Sequence, residues 1–165
     1  MAKNKKDNAV NKQKIIMESL TFQVNWGLKK LYGNNESLNG LATAELSVIN
    51  ELGLAEDIVM IKNMVDDIRK TLGINPIADK GNFCKSVVAI GLEIASVSDI
   101  AQFQIPVSWQ EMIDQKIVKL YYPTDNINDI AALLKTKGYN TSTYLGRHIV
   151  KLNKLWISLD RDKNC

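Results

Sequence analysis

The chain holds one histidine, His148, and two cysteines, Cys84 and Cys165. Nucleophilic triads, most imidazole general bases and many metal sites draw on histidine. A single one, with no second histidine or cysteine at ligand spacing, sets up no zinc site and no catalytic pair. The two cysteines lie far apart in sequence, which suits neither a redox motif nor a disulfide framework. Asp66 with Asp67, and Asp125 with Asp129, are the obvious carboxylate pairs. The first pair points in adjacent directions on an exposed helix face. The second falls in the opening turn of a helix, where acids suit the helix dipole. No Gly-rich phosphate loop, serine elbow or dinucleotide fingerprint occurs. These residues point to a protein that binds rather than catalyses, with no cofactor and no metal.

What it would bind is suggested by charge. The first 14 residues carry five lysines against Asp7, residues 15 to 116 carry 8 basic and 13 acidic side chains, and residues 117 to 165 carry 8 basic and 4 acidic ones. A basic end on an acidic body suits a polyanion, because each lysine or arginine placed on a phosphate releases a counterion. Lys135, Lys137, Arg147, Lys151 and Lys154 follow one another with no acid between them. Lysine outnumbers arginine 18 to 3, however, as the codon bias of an AT-rich genome would give, and that inflates lysine everywhere.

These side chains need elements to hold them. Hydrophobic residues make up 45% and charged ones 24% of the 165 residues, ordinary values for a globular chain that needs no disulfide. The first dozen residues lack periodicity and read as a frayed basic arm over 1–14. Ile16, Leu20, Val24, Leu28 and Leu31 then mark a helix closed by Gly33. Leu41, Ala44, Val48 and Leu52 mark a second, capped by Gly53, and Ile58, Ile61, Val65, Ile68 and Leu72 a third, ending before Gly73. Phe83, Val87, Ile90 and Ile94 continue the pattern, with Gly91 suggesting a close crossing by a neighbour. Ser108 with Glu111 reads as a capping box, and Ile117 to Tyr122 as a short strand. Ile127, Ile130, Ala131 and Leu134 mark another helix. Leu145, Ile149, Leu152, Trp156 and Leu159 mark the last, with Trp156 expected against Ile130 and Leu134. The expected architecture is all-α, six to seven helices with at most one short strand, as an N-terminal half over 15–80 and a C-terminal half over 81–165.

On that last helix Tyr144, Arg147, Lys151 and Lys154 recur at intervals of three, four and three, opposite the apolar stripe. Thr141, Ser142 and Thr143 precede it, with Thr141 and Thr143 offering hydroxyls to a phosphate at a helix N-terminus. The segment 124–159 resembles the core of helix-turn-helix and winged-helix DNA-binding domains. The resemblance implies a second helix in the major groove, with Thr143, Tyr144, Arg147 and Lys151 reading bases and phosphates. Lys135, Lys137 and Lys154 would dock electrostatically. Ser86 to Ile94, with Gly91 and Glu93, is also similar to the second helix of ribbon-helix-helix proteins, although Ile58 to Lys62 fits a helix better than the ribbon.

The expectation is a non-enzymatic DNA-binding regulator, dimeric on symmetric half-sites. The competing class is a helical adaptor that binds protein through its N-terminal stripe and Phe22, Trp26, Trp109 and Tyr121. No run of apolar residues reaches the ~20 that a membrane helix needs, and no secretory signal is evident, so no membrane is expected and the cytoplasm is the expected compartment.

Overall fold

The computed structural model describes residues 2–77, 83, 85–95 and 107–162; Cys84 and Cys165 lie outside them. Among the described residues, six α-helices precede or interleave with a four-stranded sheet. The all-α expectation is therefore corrected to a mixed α and β architecture.

Helix α1 (Ala2–Tyr32) runs through the lysine-rich start of the chain as well as the apolar stripe. It buries Leu20, Val24 and Leu28. Helix α2 (Glu36–Leu52) is opened by Asn35, whose side chain accepts from the Leu38 amide at 3.1 Å, and closed by Gly53 in the left-handed conformation. Helix α3 (Ala55–Leu72) has Glu56 and Asp57 in its first turn and Arg69 and Lys70 in its last, both favourable to its dipole.

The helix expected over Phe83 to Ile94 is a single turn, α4 (Val87–Gly91), with Ser86 accepting from the Ala89 amide. A close crossing limits it. A Cβ built on Gly91 would lie 2.8 Å from the Val24 carbonyl oxygen, and one on Gly27 only 1.7 Å from that of Gly91. The helices touch backbone to backbone because both positions lack a side chain. Helix α5 (Trp109–Gln115) starts at Ser108, whose hydroxyl accepts from the Glu111 amide at 3.2 Å.

The C-terminal part carries the sheet. Strand β1 (Ile117–Pro123) is followed by a 3-10 turn (Thr124–Asn126), α6 (Ile127–Thr136), and strands β2 (Thr141–Tyr144), β3 (Arg147–Lys151) and β4 (Trp156–Asp162). The order across the sheet is β1-β4-β3-β2; β1 runs parallel to β4 and the other neighbours are antiparallel. The helix expected over 143 to 159 is thus a hairpin and a strand. The resemblance to helix-turn-helix modules rested on that helix. Two features defeat it: Leu145 and Gly146 have φ of 50° and 75°, as a two-residue type I′ hairpin turn requires, and the flanking Thr, Tyr, Ile, Val and Trp residues favour strands.

One face of the sheet packs on the helices. Val118, Leu120 and Tyr122 of β1, Val150 of β3 and Ile157 and Leu159 of β4 join α6 and the helical part in one continuous core. The other, outer face carries the alternate residues of each strand. Asp57 links the two parts: its buried carboxylate accepts from the backbone amides of Lys154 and Leu155, both at 2.8 Å, in the turn between β3 and β4. No helix among the described residues is long and apolar enough to cross a membrane.

Candidate nucleic-acid interface

Strand register sorts the basic and aromatic residues. Lys151 lies opposite Trp156, Ile149 opposite Ser158, and Tyr144 opposite Arg147, while Ile117, Lys119 and Tyr121 of β1 pair with Trp156, Ser158 and Asp160. Because side chains alternate, all of these share the outer face. Its described charges are Lys119, Arg147 and Lys151 against Asp160, with Lys116 at its rim.

Trp156 is the centre of the basic end. The ammonium of Lys151, from β3, stands 4.7 Å from the centre of its ring, and that of Lys116, just before β1, stands 6.0 Å away. The Trp156 amide donates to the Lys116 carbonyl oxygen at 2.8 Å, which fixes the two residues beside each other. Two cations therefore flank a half-buried indole, held there by the attraction of the ring's negative faces. At the other end, Arg147 lies 3.5 Å from Asp160, whose second oxygen accepts a short hydrogen bond from the Ser158 hydroxyl. Ile149, Ser158 and Asp160 form the buried floor; Tyr144 and Arg147 are exposed, and Lys119, Tyr121, Lys151 and Trp156 are half-buried.

Of the residues expected at a DNA interface, Tyr144, Arg147 and Lys151 do come together, on a strand face instead of a helix face. The others do not join them. Thr141 and Thr143 cap no helix and sit on the opposite face of β2, paired with Val150 and His148. Lys135 and Lys137 end α6, on the helical side of the sheet. Lys154 turns towards the helices, where its ammonium donates to the Leu52 carbonyl oxygen at 2.8 Å. Trp156, expected in the core, lies on the outer face, and Leu145 is 84% exposed at the hairpin tip.

Lys116, Lys119, Tyr121 and Trp156 were not expected at the site. The signal for them is a period of two in Arg147-Ile149-Lys151 and Trp156-Ser158-Asp160, with Gly146 as the turn.

Two other polar centres are structural. Glu45 of α2 accepts from Trp109 Nε1 at 2.9 Å, from the Val88 amide at 3.3 Å and from the Ser86 hydroxyl in a short hydrogen bond, tying α5 and the start of α4 to α2. Burial pushes its carboxyl above the usual range, and the hydrogen bonds only partly oppose this. It edges an apolar cavity of about 280 Å³ lined by Leu41, Val48, Val87, Val107 and Trp109, but its oxygens are already engaged. Asp57 is likewise raised by burial, against the pull of its two amide donors. His148 contacts the Asn128 side chain at 3.3 Å. Among the described residues no three histidine, cysteine or carboxylate groups are placed to hold a metal ion. No family model and no curated protein matches this chain.

Proposed function

We propose that this chain is a non-enzymatic DNA-binding protein that docks DNA on the outer face of its C-terminal sheet. The observation that carries this is the Lys116, Trp156 and Lys151 arrangement, continued by Lys119, Tyr121, Tyr144 and Arg147 on the same face. Lysines neutralise phosphates and release counterions, arginine pairs with phosphate or a base edge, and aromatic rings take base faces. The carboxylate of Asp160 on this face is engaged by Ser158 and Arg147, and Lys116 and Lys151 lie at the other end of it. A salt titration of DNA binding tests the proposal. Wild type loses affinity steeply as salt rises, and the Lys116→Ala/Lys151→Ala variant loses about two units of log–log slope. Binding that is absent at low salt contradicts it.

A second function, as a protein-binding adaptor, draws on a different observation. Phe22 and Trp26 of α1 are 71% and 63% exposed, on the side of the helix away from its buried stripe, with Ile15 about two turns further towards the N-terminus. Of the four aromatics in the competing expectation, these two are accessible, whereas Trp109 is buried and Tyr121 lies on the sheet. A Phe22→Ala/Trp26→Ala variant with unchanged DNA affinity separates this surface from the sheet.

A further inference from the structure

We infer that the outer face takes single-stranded DNA, with an unpaired base on the Trp156 ring and the neighbouring phosphates on Lys116 and Lys151. This rests on the DNA-binding function proposed above and names its substrate class. Position in the sheet is the reason. Trp156 belongs to β4, which has β1 on one side and β3 on the other. The major groove, roughly 12 Å wide, admits a helix or a two-stranded ribbon. Four strands at about 4.8 Å spacing span roughly 14 Å of backbone alone. The ring of an interior strand therefore reaches no base edge of an intact duplex. A base that is free to swing out of a single strand reaches it readily.

The flanking cations fit the same occupant. Lys151, from β3, and Lys116, just before β1, approach the indole from its two sides in the sheet, at 4.7 and 6.0 Å from its centre. When a base stacks there, each ammonium exchanges a weak attraction to the ring for a phosphate. Tyr121 and Arg147 flank Asp160, four residues along β4 from Trp156, which is about 13 Å at strand rise, a length of surface for a few nucleotides. The floor between them, Ile149 and Ser158, is small or apolar and offers no charge that would repel a backbone. DNA is favoured over RNA because Asp160, the carboxylate that would accept from a 2′-hydroxyl, is engaged by Ser158 and Arg147.

The test uses the full chain and three fluorescein-labelled probes of equal length, about 16 nucleotides: a mixed-sequence single-stranded DNA, its duplex, and the RNA of the same sequence. Anisotropy titrations at fixed salt are expected to show single-stranded DNA bound at least ten times more tightly than duplex and more tightly than RNA. Trp156→Leu should lose about 5- to 150-fold of that affinity, and Trp156→Phe should retain most of it. Circular dichroism confirms that each variant is folded; if Trp156→Leu is not, the folded Lys116→Ala/Lys151→Ala variant must show the loss instead. Duplex binding equal to or tighter than single-strand binding overturns this inference and leaves the DNA-binding function standing. RNA bound more tightly overturns the choice of DNA, and a folded Trp156→Leu with wild-type affinity overturns the stacking role. No binding of any probe overturns both the inference and the function beneath it.

Discussion

The ammonium of Lys151 stands 4.7 Å from the centre of the Trp156 ring, across the pairing of β3 with β4. A contact of this kind at a half-exposed site is worth about 0.5 to 1 kcal/mol. A double-mutant cycle of Lys151→Ala and Trp156→Ala, followed by denaturant unfolding, should return a coupling of that size. Additive effects would mean that the lysine is held by something other than the ring.

Glycines on the helices divide by what surrounds them. A Cβ on Gly27 would collide with the Gly91 backbone, whereas one on Gly40, inside α2, meets nothing within 4 Å. Gly27→Ala should therefore destabilise by ~1 to 3 kcal/mol or more, as α1 and α4 are forced apart. Gly40→Ala should stabilise by ~0.5 to 1 kcal/mol, through helix propensity alone. Thermal unfolding of both variants checks the pair, and equal effects would contradict the crossing.

The hairpin turn contains a strained residue. Leu145 has φ of 50° and is 84% exposed, so its side chain gains little and its backbone sits where leucine is disfavoured. Leu145→Asn places the preferred Asn-Gly pair in a type I′ turn and should raise stability by ~0.5 to 1 kcal/mol. An unchanged or lower melting temperature would argue against this turn.

Burial raises the carboxyls of Glu45 and Asp57. A carboxyl raised in the folded state binds its proton before the unfolded chain does, so its contribution to stability is greatest at low pH. That contribution is lost as pH rises from the ordinary carboxylate range, about 4, through the raised value. Glu93 is lowered, chiefly by its hydrogen bond to Lys30, and acts the other way: its contribution is present above the ordinary range and lost below it. Stability measured just above pH ~4 should thus fall with rising pH in wild type, and fall less in Glu45→Gln and Asp57→Asn. Parallel pH profiles for wild type and both variants would contradict this.

Much of the helical part was legible in the sequence. The stripes of α1 and α3, the ends at Gly53 and Gly73, the Ser108 start of α5 and the strand after Lys116 all rest on local chemistry that survives folding. In α2 the expected stripe is corrected: Leu41, Ala44 and Val48 are exposed, and Leu38, Ala42, Leu46 and Ile49 are the buried residues. Gly91 signalled the crossing now seen with Gly27. The last third misled because Leu145, Ile149, Leu152, Trp156 and Leu159 happen to fit a helical period while Ile149 and Val150, adjacent in sequence, are both buried. That pair breaks the buried–exposed alternation by which a strand with one open face is recognised, and the helical spacing absorbed it. The candidate site shared this fate: Tyr144, Arg147 and Lys151 were grouped correctly on the wrong element, and Trp156 was assigned to the core. Pairing between β1 and β4, separated by α6 and a hairpin, has no local signature at all.

The central claim is that DNA lies on the outer face of the sheet. Amide chemical-shift mapping of the isotopically labelled protein, titrated with single-stranded DNA, tests it most directly. Perturbations are expected at Lys116, Lys119, Arg147, Lys151 and the indole N–H of Trp156, with α1 and the end of α6 at Lys135 and Lys137 silent. Shifts concentrated on α1 or on Lys135 and Lys137, with Trp156 unmoved, would contradict it.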